Sequence, residues 1–460
     1  MNTLRILRMI RRITTYGFLY LITFSIIASA LILTPHDKND FPVLRMIIVF
    51  FATILLTKYF IYMVLAPWHD LVAKRNEQRR AHTVNFKPKV SIVIPAWNES
   101  VGLFHTINTI LASNYNNLEI IVVNDGSTDS SDAMMREFVQ KYEARKGFET
   151  SGISIKYFYK QNGGKGRALN FGIAHATGEI IMSIDADCIL TPTTIENFAK
   201  VFHDPQVMAA VGNVKVGNTN TVLGTIQYLE FLFSFYFKKT ESLLGIVYII
   251  GGAAGAFRRE VFETIGLYNH ENITEDIELS VRIQKAGMKI VYASDAIVYT
   301  EGASTLKGLM SQRLRWKRGR FQTFSEHKNM FFSLNKKHNK LLTFFTLPLA
   351  IFGEIQMFLE LPFLIFLYIY SWLTNDYSSF VSGVIVVSSM FAVQIFFDDK
   401  STKRASFLLL APIGWLLFYV STFVEYNALI KSIWHSIRKK ELVWQKWDRK
   451  GCLDKTVSVV

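Results

Sequence analysis

Long apolar runs at both ends of the chain bracket a middle part in which apolar runs are short and alternate with amphipathic stretches. Ile13 to Thr34 holds 22 residues without a charge. A bilayer core of about 30 Å needs about 20 helical residues, so this run predicts a membrane span. Arg5, Arg8, Arg11 and Arg12 precede it, but the run is too long for a signal peptide and lacks a small-residue cleavage site. The start is therefore expected in the cytoplasm. Val43 to Ala66 predicts a second span, with Arg45 and Lys58 near enough to its ends to snorkel. Lys74, Arg75, Arg79, Arg80, Lys87 and Lys89 follow and return the chain to the inside.

From Lys89 to about Ser333 short β-branched runs such as Val90–Pro95 and Glu119–Asn124 alternate with amphipathic stretches such as Ser131–Arg145. Strands alternating with helices predict an α/β domain with a mostly parallel sheet and helices on both faces. Apolar character returns after Lys336, Lys337 and Lys340. Leu341 to Leu373, interrupted by Pro348, Glu354, Glu360 and Pro362, reads as an interfacial helix leading into one span. Phe380 to Phe397 and Ser406 to Ile430 read as two more, joined by the basic loop Asp398–Arg404. Two plus three spans would leave the basic tail outside, against the preference of positive charge for the inside. Either residues 341–373 hold a hidden pass or the last segment is partly re-entrant. The predicted parts are residues 1–68 with two transmembrane helices, 69–335 as a cytosolic α/β domain ending in amphipathic interface helices, 336–433 with an interfacial helix and about three spans, and 434–460 as a basic tail.

Composition sharpens this division. Hydrophobic residues make up 50% of the 460 and charged residues only 19%, against about a quarter charged in a typical soluble domain. The net charge of +14 sits beside apolar runs, so it marks cytoplasmic loops of a membrane protein rather than a nucleic-acid surface. With two cysteines, Cys188 and Cys452, a disulfide framework and a Cys-based zinc site are excluded.

In open parallel sheets ligands bind beyond the carboxyl ends of the strands. Val122–Asp129 ends one apolar run in Asp125, and Ile180–Asp187 ends another in Asp185 and Asp187. Either alone is equally a polar strand end entering a turn, but an Asp-x-Asp at such an end suits a hard divalent cation with oxygen ligands. Thr274, Glu275 and Asp276 open a helical pattern, where Thr274 suits a helix cap and the carboxylates suit a general base. Gln312–Trp316 lies in a very basic stretch with Lys317, Arg318 and Arg320. That stretch fits a helix binding lipid headgroups, while Arg315 and Trp316 also suit a diphosphate.

Six segments in order, Ile94–Glu99, Asn124–Ser127, Asn162–Gly166, Asp185–Asp187, Thr274–Asp276 and Gln312–Trp316, resemble the membrane-embedded processive family 2 glycosyltransferases, which include cellulose, chitin, hyaluronan and poly-N-acetylglucosamine synthases. The resemblance implies a GT-A-like domain between transmembrane helices. It implies that Pro95, Glu99 and Asp125 hold the uridine end of a UDP-sugar with Lys165 near the base or diphosphate. Asp187, supported by Asp185, would ligate Mg²⁺ or Mn²⁺ on that diphosphate. Asp276 would be the base, with Glu275 and Thr274 beside it. Gln312, Arg315 and Trp316 would cover the donor and line the acceptor's entry, and Gly251 and Gly252 would support the acceptor sugar, although Gly251–Gly255 equally suits a tight turn. A base on the acceptor and a cation with Arg on the leaving diphosphate serve one in-line displacement, so inversion is implied.

Thr274–Asp276 differs from the Gly-Asp-Asp of hyaluronan synthases. Ser304–Trp316 and Trp444–Gly451 resemble most the bacterial poly-β-1,6-N-acetylglucosamine synthases, although Lys317–Arg320 is more basic than the segment usual there. The implied setting is a bacterial inner membrane with a growing polysaccharide or lipid-linked acceptor, the bilayer and a small accessory membrane protein as partners. A non-processive enzyme acting on a lipid, or a synthase of another polymer, would share these residues. A silent scaffold would be expected to lose Asp276 or the Asp-x-Asp pair, and both are present.

Overall fold

A computed structural model describes residues 57–75, 86–146, 153–375, 377–397 and 404–438. Its centre is a sheet of eight strands: β1 (Val90–Ala96), β2 (Leu118–Asp125), β3 (Ser154–Lys160), β4 (Ile180–Ser183), β5 (Ile189–Leu190), β6 (Val207–Val216), β7 (Gly255–Arg258) and β8 (Lys289–Thr300). Their order is β3-β2-β1-β4-β7-β6-β8-β5. β1 runs parallel to β2 and β4, β2 to β3, and β6 to β8. β7 is antiparallel to both β4 and β6, and β5 to β8, so the sheet is mixed.

β1 and β2 read as unbroken apolar runs because both of their faces are covered. Ile92, Ile94, Ile120 and Val122 pack with Leu103, Ile107 and Ile110 of the helix Leu103–Leu111. Val93, Ile121 and Val123 pack on the other side with Leu169 and Ile173 of the helix Lys165–Ala174. Parallel pairing points the carboxyl ends of β1, β2 and β4 the same way, which gathers Pro95, Asp125 and the residues after Ser183 at one edge.

The C-terminal part departs from expectation in two ways, and its last segment takes the bent form that was one of the two alternatives. Leu341 to Leu373 is not an interfacial helix followed by a separate span. A π-helical turn, Leu342–Thr346, runs into one helix, Leu347–Thr374. Pro348 comes just after the π-helical turn, and Pro362 is carried inside the helix. Leu342–Pro362 is the one helix among the described residues that is long and apolar enough to cross a membrane. Phe380 to Phe397 falls in the helix Ser378–Phe397, whose apolar part, Val387–Phe396, is shorter than a span. The last expected span is bent: Ser406–Leu417 and Tyr419–Ile437 meet at 42°, the geometry of a broken span or a re-entrant segment. The first expected span, residues 398–403 and the tail beyond residue 438 lie outside the described residues. The second is described from residue 57, in a helix that runs to residue 75.

The basic helix Leu306–Glu326 also corrects an expectation. Three of its cations meet carboxylates of the protein rather than headgroups. Arg313 pairs with Glu230 and, at 3.1 Å, with Glu425; Lys317 lies 2.7 Å from Glu354 and 3.0 Å from Glu425; Arg320 lies 2.8 Å from Glu354. Arg313 and Lys317 are buried, and a buried charge costs several kcal/mol unless it is paired. Glu354 and Glu425 come from the apolar helices Leu347–Thr374 and Gly414–Ile437.

Candidate active site

One cavity of about 1200 Å³ is lined by every residue singled out above: Pro95, Glu99, Asp125, Lys165, Asp185, Asp187, Gly251, Gly252, Thr274, Glu275, Asp276, Gln312, Arg315 and Trp316. Strand ends supply the first part of this wall, the starts of the helices Lys165–Ala174 and Glu275–Lys285 supply the second, and the basic helix closes it.

Its centre is a knot of carboxylates around one ammonium. Lys165 Nζ lies 2.5 Å from Asp185 Oδ1 and 3.7 Å from Glu275 Oε1. Burial alone would depress the Lys165 pKa, but Asp185, Glu275 and Asp276 outweigh it and hold the ammonium well above its ordinary range. Burial raises Glu275, opposed by Lys165 and reinforced by Asp276. Asp187 is buried beyond β4, with Oδ2 3.5 Å from the Thr300 hydroxyl. Asp185 and Asp187 offer oxygen only, which suits Mg²⁺ or Mn²⁺, and the Lys165 ammonium beside Asp185 marks a position built for positive charge. A different set, Glu278, Glu326 and His327, also brings ligand atoms within 4.8 Å. There Glu278 already accepts from Arg282 at 2.8 and 2.9 Å and contacts His327 at 3.0 Å, so it forms an ion-pair cluster.

Asp276 is held by two amides: Oδ2 accepts from Gly252 N–H and Oδ1 from Ile277 N–H, both at 2.8 Å. Each oxygen keeps a further lone pair for another donor. A Cβ at position 252 would lie 2.7 Å from Lys165 Nζ and would push that ammonium aside. Gly251 carries no such constraint, and its carbonyl accepts from Ala254 N–H at 3.2 Å, as a turn would. Thr274 stands at the cap position of the helix Glu275–Lys285, yet its hydroxyl makes no cap bond. The hydroxyl instead approaches Asn272 Oδ1, at 3.4 Å, because Asn272 also accepts the Thr274 N–H at 3.0 Å.

At the other end, the Asp125 carboxylate is engaged by Lys160 and by the amides of Gly163, at 3.0 Å, and Gly164, at 2.7 Å. It thus organises the Asn162–Gly166 loop as well as facing the cavity. Lys160 escaped the sequence reading; its signal is the β3 register, which sets it opposite Asp125. Asn98 was missed as well. It adopts a left-handed backbone, φ 54°, a conformation for which Asn is enriched, and its side-chain oxygen accepts from Thr128 N–H at 2.7 Å. It ties the first motif to the second, and Glu99 N–H donates to the Ser131 hydroxyl at 3.1 Å. Gln312 is buried with its Oε1 unpartnered, so a ligand donor has an acceptor waiting there. Trp316 is covered by the guanidinium of Arg313, 4.3 Å from the ring centroid.

The cavity continues past Trp316. Phe231, Phe233 and Phe235 line it, followed by Val387, Met390 and Phe391 of the helix Ser378–Phe397 and Leu417 and Ser421 of Gly414–Ile437. These residues sit in generic apolar stretches, and their sequence carries no signal for a shared wall.

Residues 88–319 match the family described as glycosyltransferase like family 2. Curated relatives include the poly-beta-1,6-N-acetyl-D-glucosamine synthase of Staphylococcus epidermidis, 26% identical over 362 residues, covering 75% of this chain and 82% of the relative. That of Staphylococcus aureus is 32% identical over 251 residues, covering 52% of this chain and 58% of the relative. A mannosyltransferase from Pyrobaculum calidifontis, solved with GDP-Man and Mn²⁺, superposes with a TM-score of 0.50 at 18% identity, over 85% of this chain and 100% of that one. The shared fold is the GT-A-like arrangement of a mixed sheet with helices.

Proposed function

Since the chain belongs to the glycosyltransferase like family 2 and is a hexosyltransferase of that family, we propose that it polymerises a β-linked polysaccharide from UDP-N-acetylglucosamine on the cytosolic side of a bacterial inner membrane and passes the product across. The observation that carries this reading is the single cavity running from the carboxylate knot to the apolar helices. A lengthening chain can stay in such a cavity between additions. The donor choice is supported by the Staphylococcus relatives, which are poly-beta-1,6-N-acetyl-D-glucosamine synthases. A bilayer setting is supported by the candidate span Leu342–Pro362 and by exposed apolar side chains on the same long helix, among them Ile355, Phe358, Ile365 and Trp372.

In this reading Asp276 takes the proton of the acceptor hydroxyl, its carboxylate aimed by the Gly252 and Ile277 amides. A general base removes charge build-up from the attacking oxygen. Glu275 and Lys165 set the local charge around it. Gln312 accepts a hydrogen bond from the donor, and Arg315 offsets negative charge on the departing diphosphate. Asp187 and Asp185 would hold Mg²⁺ or Mn²⁺, which when bound neutralises diphosphate charge. One displacement at the anomeric carbon converts an α-linked donor into a β-linked product.

Competition among donors tests the sugar assignment. Membranes holding the full chain are expected to consume radiolabelled UDP-N-acetylglucosamine with a kcat/KM at least about 10²-fold above UDP-glucose, as expected when a buried polar contact to the acetamido group is lost. Preference for UDP-glucose or UDP-glucuronate would replace this reading with that of another synthase.

A further inference from the structure

We infer that Glu354 and Glu425, carboxylates on the two apolar helices, are positioning residues for the transfer step. They act through the helix Leu306–Glu326 on the segment that carries Asp276, and the inference rests on the reading of Asp276 as base.

One stripe of that helix grips the segment before Asp276. A Cβ on Gly319 would lie 2.3 Å from Thr274 Oγ1, so the helix backbone rests on Thr274 without room for a methyl group. Asn272 Nδ2 donates to Thr323 Oγ1 at 3.2 Å and to Glu326 Oε2 at 3.1 Å. Gln322 donates to the Glu271 carbonyl at 3.3 Å and accepts from Ile273 N–H at 3.4 Å. Asn272 in turn accepts the Thr274 N–H, one residue before the helix that bears Glu275 and Asp276.

A second stripe, Arg313, Lys317 and Arg320 at i, i+4 and i+7, faces away from the first at about 100° of rotation per residue. It carries the ion pairs to Glu425 and Glu354 described above. Lys317 is buried and lies within 3.0 Å of both carboxylates. The helix is thus clamped on one side by the apolar helices and holds the base segment on the other. Gln312, Arg315 and Trp316 line the cavity, as do Arg313, Arg320 and Glu425. Lys317 and Glu354 lie off it, so the Glu354 variant reads the positioning effect free of any direct contact with substrate. Neutralising either carboxylate leaves Lys317 half-paired in a buried site, which favours a shift of the helix and with it of residues 271–276.

The test uses the full chain in membranes or lipid nanodiscs, with Glu354→Gln, Glu425→Gln and the far-end variant Thr323→Val. The expected result is a kcat lower by roughly 10- to 100-fold, the cost of about 1 Å of misplacement, with a donor KM within about twofold of the parent. Amide hydrogen exchange in residues 271–278 should accelerate in all three variants, and Thr323→Val combined with Glu425→Gln should lose less than the product of the single effects. Unchanged kcat and exchange in both glutamine variants would overturn the inference, as would a KM that rises as far as kcat falls. The base reading fails separately, if Asp276→Asn turns over normally. The exchange measurement does not depend on what Asp276 does, so the two failures are told apart.

Discussion

Asp276→Asn is expected to lower turnover by about 10² to 10⁴-fold, the usual loss when a general base is removed, while binding of the UDP-sugar changes little. Asparagine keeps the size of the side chain but cannot take a proton. Its amide oxygen can still accept from Gly252 or Ile277, but its NH₂ must face the other amide, so one of the two 2.8 Å bonds that aim the parent carboxylate is lost. That local loss falls on the acceptor side of the cavity and leaves Asp125, Asn162 and Gln312 untouched. Turnover and donor binding measured on the same preparation decide the matter. Near-normal turnover would remove Asp276 from the base role, and lost binding would reassign it to the donor.

Asp187→Ala is expected to abolish measurable donor turnover, and EDTA is expected to do the same to the parent enzyme. A bound cation contributes several kcal/mol of charge stabilisation, so its loss corresponds to about 10³-fold or more. Asp187 is the buried member of the pair and Asp185 the one paired with Lys165, so alanine at 187 removes the buried carboxylate and leaves the Asp185–Lys165 pair in place. Mn²⁺ binding followed by electron paramagnetic resonance should fall in parallel. Full activity in excess EDTA would contradict the assignment.

Much of this was legible in the chain because it is written locally. The unbroken apolar runs of β1 and β2 announce a sheet covered on both faces, and a carboxylate at the end of such a run points to the ligand edge; Asp125, Asp185 and Asp187 are all found there. The rest depends on contacts between distant residues. The basic run at Lys317–Arg320 looks like a lipid-facing surface until Glu354 and Glu425, far downstream and each an interruption in an apolar run, are brought against it. Thr274 reads as a helix cap by position, and only the side chain of Asn272 and the helix backbone at Gly319 explain why its hydroxyl turns elsewhere. Lys160 became visible through sheet register alone. Phe231, Phe233 and Phe235 stand at i, i+2 and i+4 of the helix Val222–Leu244, where the middle residue points about 200° from the first, so their spacing marks neither a helical face nor a site.

The central claim, one cavity that both joins sugars and threads the product into the apolar helices, is tested most directly by sizing the product in sealed inverted vesicles. Vesicles holding the full chain are supplied with radiolabelled UDP-N-acetylglucosamine from outside, and the label is then fractionated by size and by access to an added glycosidase. A polymer of many sugars, protected from the glycosidase until detergent is added, is the result expected here. A single labelled sugar extracted with the lipids would contradict it.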